Sequence, residues 1–181
     1  MWKKVPPFVK SRLMLKLADK MEENMEELET LESLDVGKIS GEAHGDAMFS
    51  TLILRYFAGM ANQIHGQSFN RDNYGIYTNQ YAITRKEPVG VCAGITPWNF
   101  PMLMSMFKIA PMLASGCTGI MKPPENAPLT TIRIVELWNE IEGVPPGVLN
   151  CLSGLGPETG EALTVHPGIR KIAFTGSTVT G

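Results

Sequence analysis

The stretch VGVCAGITPWNFPM, from Val89 to Met102, decides how the rest of the chain is read. A short apolar run gives way to Thr96, then two prolines bracket Trp98, Asn99 and Phe100, and a methionine-rich segment follows. The apolar run is a short buried strand, and Pro101 opens a helix that Gly116 closes. The same alternation then repeats. CTGIM is a second apolar run, followed by a helix from about Leu129 to Ile141. VPPG makes a turn, VLNCLSG is a third run, a short helix spans about Glu158 to Val165, and IRKIAFTG is a fourth run. Short buried strands alternating with helices predict βαβ units and a parallel sheet covered on both faces, an α/β fold.

Upstream the texture is helical. Leu13, Leu17 and Met21 recur every fourth residue with Met14 and Ala18 beside them, one apolar stripe on a charged helix. Asn24 followed by Glu27 has the form of a capping box, restarting the helix until Gly37 stops it. A longer helix is predicted from about Asp46 to His65. Phe49, Ile53, Phe57, Met60 and Ile64 form one face and Met48, Leu52 and Tyr56 a second, so it is expected to be largely buried. Residues 67–75 read as a polar loop. IYTNQYAITRKEP reads as an extended strand too polar for a sheet centre, hence an edge strand and a pairing surface for another subunit.

The totals exclude several classes. With 16 basic and 18 acidic side chains there is no field to draw nucleic acid or an anionic membrane. The basic residues Lys3, Lys4, Lys10 and Arg12 are followed at once by the acidic MEENMEELETLE, which is not the composition of a transit peptide. No apolar run has the length of a membrane span. Cys92, Cys117 and Cys151 lie in apolar runs without metal-ligand spacing, which argues against zinc or a disulfide framework and for a reducing, cytoplasmic setting.

In open parallel sheets ligands bind off the carboxyl ends of the strands. Those ends carry TPWNFP, KPPE, SGLGPETG and FTGST. Singly, each has a plain reading: Asn99 as a helix cap, Lys122 and Glu125 as a surface ion pair, Gly154, Gly156 and Gly160 as a turn, Ser177 as a cap. Met102, Met104, Met106 and Met112 read as core filler.

Taken together, EPVGVCAGITPWNFP, LASGCTGIMKPPENAPLT, GVPPGVLNCLSG, GPETGEAL and IAFTGSTVTG resemble, in order and spacing, the aldehyde dehydrogenase superfamily, as do RYFAGMANQIHG and RLMLKLADKMEENMEELETLESLDVGK upstream. The resemblance implies a fold of N-terminal helices (residues 1–73), an oligomerisation strand (74–88) and an incomplete Rossmann-like sheet (89–181), truncated before the catalytic domain. It implies NAD as cofactor, with NADP the alternative, a small-molecule aldehyde as substrate, and a homo-oligomer when full-length.

By the same resemblance Asn99 turns its amide to the oxygen of an aldehyde under attack by a cysteine thiolate. Loss of one such donor typically costs roughly 3–4 kcal/mol of barrier. Lys122 and Glu125 would hold the adenosine ribose, Gly156 and Gly160 would let the adenine approach the backbone, Ser177 would meet the pyrophosphate, and Phe174 and Gly176 would also belong to the cofactor site. Ile95, Thr96, Pro97 and Trp98 would line the nicotinamide side, and Phe100, Met104 and Phe107 the aldehyde channel. Lys108 matches a recurrent lysine. The family commonly carries an acidic residue where Val179 or Thr180 stands. Neither the Gly-Gln-x-Cys motif of the family's nucleophile nor the Glu-Leu-Gly-Gly motif of its general base occurs here. The chain alone is therefore expected to be inactive. A non-catalytic nucleotide-binding or oligomerisation module of the same fold is the alternative.

Overall fold

Pro7 fixes the backbone dihedral that a first helical turn needs, and α1 (Pro7–Glu23) begins there. Its stripe of Leu13, Met14, Leu17, Ala18 and Met21 is fully buried, as the four-residue spacing predicts. α2 (Met25–Val36) ends where Gly37 turns left-handed at φ 80°. Its start departs from the capping-box expectation. The Asn24 amide donates backwards to the Lys20 carbonyl at 2.7 Å, closing α1 rather than opening α2.

α3 (Ser40–Met60) starts six residues before its expected position and continues as a 3₁₀ turn, Ala61–Gln63. Its buried side is also not the one expected. Ala43, Ala47, Ser50, Thr51, Leu54 and Ala58 face the core, while Met48, Phe49, Leu52 and Tyr56 are exposed. Small residues let α3 lie close against α1 and α4, and the large apolar side chains are left outside.

The computed structural model describes residues 2–70 and 81–181. The expected loop over 71–75 and the first five residues of the expected edge strand, 76–80, lie outside the described residues, as does the boundary at 73/74. Within the rest, the predicted loop contains a strand. β1 (Ser68–Asn70) pairs antiparallel with β2 (Tyr81–Ile83), apart from the main sheet.

The main sheet is β3 (Val91–Ile95), β4 (Thr118–Lys122), β5 (Leu149–Cys151) and β6 (Ile169–Phe174), all parallel, in the order β5-β4-β3-β6. α4 (Pro101–Ser115) joins β3 to β4 and α5 (Leu129–Asn139) joins β4 to β5. A π-turn, Gly156–Gly160, and the short α6 (Glu161–Val165) lead into β6. The chain steps outward from β3 to β5 and then returns to the far side of β3. That reversal makes the gap between β3 and β6 a topological switch point.

α4 and α5 pack on the sheet and on each other, and α1 to α3 close over them. One continuous core results, from Trp2 and Leu17 through Met106 and Leu113 to Trp138 and Leu149. The Asp35 carboxylate of α2 accepts the Leu129 N–H at 2.7 Å, so one helix caps the start of another. Among the described residues no helix is long and apolar enough to cross a membrane.

Candidate active site at the strand ends

Three lateral backbone bonds bring the strand ends into one row. Thr96 N–H donates to the Lys122 carbonyl at 3.3 Å, Leu152 N–H to Met121 at 2.8 Å, and Thr175 N–H to Ile95 at 3.1 Å. The four motif-bearing loops thus leave the sheet from the same edge, with the switch point between the first and the fourth.

At the end of β3, Thr96 is buried and Trp98, Asn99 and Phe100 are exposed. Asn99 does not cap α4. The residue preceding the helix is Phe100, and no side chain caps that end. The polar amide is therefore presented to solvent at the sheet edge, beside the exposed rings of Trp98 and Phe100. Phe107, two turns into α4, is half exposed and Met104 is partly so, whereas Met102, Met106 and Met112 are core as expected.

Lys122 is 3 % exposed, which the surface-pair reading did not anticipate. Its ammonium donates to the Pro123 carbonyl and to Glu125 Oε2, both at 3.2 Å. The Glu125 side chain is half exposed. Its own backbone N–H, then the Lys122 ammonium, hold its carboxyl below the usual range. A carboxylate fixed by a buried cation and open to solvent can accept hydrogen bonds from a diol.

Beyond β5, an added Cβ on Gly156 or Gly160 would meet no protein atom within 4 Å; Gly156 is exposed, whereas Gly160 is buried. Gly154 differs: it has φ 153°, and a Cβ there would collide with Thr159. At the end of β6, Ser177 Oγ lies 2.8 Å from Thr180 Oγ1 and accepts the Thr180 N–H at 3.3 Å, closing a hydroxyl-bearing turn. Phe174 is partly exposed, and its ring occupies the space a Cβ on Gly176 would need. Lys108 reaches from α4 to donate to Thr175 Oγ1 at 2.7 Å, tying helix to strand end. Burial lowers its pKa.

A cavity of about 690 Å³ sits elsewhere, on the flank between α4 and β6. Phe107, Lys108, Cys92, Cys117 and Lys171 line it, but Asn99, Lys122 and Glu125 do not. The strand-end row, which carries the exposed amide of Asn99, the carboxylate of Glu125 and the hydroxyl of Ser177, is the candidate site. Among the described residues, no cluster of three His, Cys, Asp or Glu side chains is arranged to hold a metal ion.

Lys38 was missed by the sequence reading. Its ammonium lies 4.0 Å from the centroid of the Phe100 ring, bridging α2–α3 to the Asn99 loop. The only sequence signal was a lysine directly after the helix-ending Gly37.

The sequence profile described as the aldehyde dehydrogenase family matches residues 1–181. An aldehyde dehydrogenase of Enchytraeus buchholzi is 46% identical over 173 residues, covering 95% of this chain and 34% of its own. Among solved structures, the NAD-dependent aldehyde dehydrogenase from Sinorhizobium meliloti superposes with a TM-score of 0.93 at 38% identity, over 99% of this chain and 35% of that one. The NAD+ complex of aldehyde dehydrogenase from Bacillus cereus gives 0.92 at 43% identity, over 100% and 36%. The chain thus spans about a third of the length of these relatives.

Proposed function

The chain belongs to the aldehyde dehydrogenase family, and on that premise we propose that it is the cofactor-binding portion of an NAD-dependent enzyme oxidising an aldehyde to a carboxylic acid. The observation that carries the proposal is the row of strand ends: an exposed carboxamide at Asn99, with a buried-cation carboxylate one strand away. The nucleophilic cysteine and the general base belong to sequence outside residues 1–181. They act through a thiohemiacetal and then a thioester.

Lys122 and Glu125 fit the adenosine ribose, since Glu125 is ionised, open and held in place. The exposed backbone of Gly156 fits an adenine lying on it, and the missing side chain of Gly160 beneath leaves that approach unobstructed. Ser177, with Phe174 and Gly176 beside it, would meet the pyrophosphate, and Ile95, Thr96, Pro97 and Trp98 would line the nicotinamide side. The bound dinucleotide supplies a hydride acceptor. The carboxylate of Glu125 disfavours a ribose 2′-phosphate, so NAD is preferred to NADP.

Asn99 donates its amide N–H to the aldehyde oxygen. That oxygen gains negative charge as the carbonyl becomes tetrahedral, so a fixed donor stabilises the later state more than the earlier one. Phe100, Met104 and Phe107 offer apolar surface to the aldehyde side chain. β1 and β2 form a ribbon outside the main sheet, suited to pairing with another subunit in a homo-oligomer. Three free thiols suit a cytoplasmic protein.

Asn99→Ala in the full-length protein is expected to lower kcat for aldehyde oxidation by roughly 100- to 1,000-fold. NAD binding, measured by calorimetry, should remain within about threefold. Turnover within twofold of wild type, or tighter binding of NADP than of NAD, would overturn the corresponding assignment.

A further inference from the structure

Between Thr96, bonded to Lys122, and Phe100, whose carbonyl accepts the Met104 N–H at 2.9 Å, the Asn99 loop must be held by side chains. Among the described residues, no hydrogen bond engages Pro97, Trp98 or Asn99. Lys38 does touch the loop, through the Phe100 ring. We propose that Lys38 is a positioning residue that fixes the Asn99 carboxamide by gripping the face of Phe100.

The geometry accounts for each proton of the ammonium. Lys38 Nζ donates to Glu32 Oε1 at 3.0 Å and to Asp46 Oδ2, and its remaining side meets the Phe100 ring at 4.0 Å. An ammonium has three N–H donors, so two carboxylates and one aromatic face saturate it. The lysine side chain is only 9 % exposed and that of Glu32 is wholly buried. Glu32 is anchored in turn by Thr130 Oγ1, which donates to Oε2 at 2.9 Å from the first turn of α5. Three helices thus converge on one cation, and that cation presses on the residue next to Asn99. Phe100 is itself 41 % exposed, and Lys38 meets one face of its ring. Lysine is well suited to the task, because a neutral side chain of its length has no attraction for the ring quadrupole and leaves both carboxylates unpaired.

The proposal rests on the oxyanion role given to Asn99 above, and its test separates the two. Hydrogen exchange in the full-length protein reads the Met104 amide, whose partner is the Phe100 carbonyl, against amides at Ile109 and Leu113 in the middle of the same helix. Lys38→Met is expected to speed exchange at Met104 at least fivefold and leave the mid-helix amides within twofold. Lys38→Arg should restore most of the protection. Phe100→Leu should reproduce the loosening, and adding Lys38→Met to it should change nothing more. In turnover, Lys38→Met should lower kcat about tenfold with the KM for NAD within twofold.

Unchanged exchange at Met104, or an equal rise along the whole helix, overturns the proposal. If Lys38→Met fails to fold, Phe100→Leu, which leaves the ammonium–carboxylate contacts in place, decides by the same criterion. If exchange rises as expected but Asn99→Ala leaves turnover intact, Lys38 still grips the loop and the reading of Asn99 falls.

Discussion

Burial pushes the thiols of Cys92 and Cys151 up to about 11, from an ordinary value of 9.0. At neutral pH both are protonated and unreactive. Iodoacetamide at pH 8 is expected to alkylate these two roughly a hundredfold more slowly in the folded protein than in urea, as mass spectrometry of digests would show. A pH consequence follows with a definite sign. The folded values lie above the unfolded ones, so this contribution to stability is whole below about pH 9 and is lost as pH rises toward 11. A denaturant midpoint that holds steady from pH 9 to 11 would contradict it. At this scale the sequence was informative about which residues stand at the strand ends and silent about their environments. That Lys122 is buried and Glu125 open depends on the packing beneath β4, to which local spacing gives no access.

Helices and strands were legible where periodicity and punctuation agreed. α1 shows its stripe every fourth residue, and α4 lies between Pro101 and Gly116, whose φ of 80° ends it. α3 was misjudged for a physical reason. Its first turn, Ser40 to Gly45, has almost no apolar side chain to mark it, and its buried face is built of alanine, serine and threonine. Hydrophobicity then points to the wrong side, because close helix approach selects for small size. Asn24 misled in a similar way, since one amide can close the preceding helix as readily as open the next. The cap that matters at α5 comes from another element altogether. Asp35→Ala removes the acceptor for Leu129 N–H and is expected to cost about 1 kcal/mol in urea denaturation. Asp35→Asn, which keeps an acceptor, should recover most of it.

Across the whole molecule, the parallel sheet and its single row of strand ends were foreseeable from the alternation of runs and helices. The strand order and the enclosing helical layer were not, because long-range pairing leaves no local trace. Trp2 illustrates the second. Its indole N–H donates to the Leu113 carbonyl at 3.2 Å, and its ring meets Trp138 edge-on at 5.6 Å. It is 1 % exposed and joins the amino-terminal turn to α4 and α5. Trp2→Ala is expected to destabilise the protein by about 3–5 kcal/mol, while Trp2→Phe should cost distinctly less. Equal losses for the two would mean that the indole N–H, not the volume, carries the effect.

The posts from which the strand-end loops hang are stitched to one another through peptide groups, Thr96 to Lys122, Leu152 to Met121, Thr175 to Ile95. Peptide groups are the same whatever side chain is attached. A library randomised over residues 97–100 and the exposed pair 125–126 is therefore expected to change the chemistry of this rim without shifting the frame that presents it.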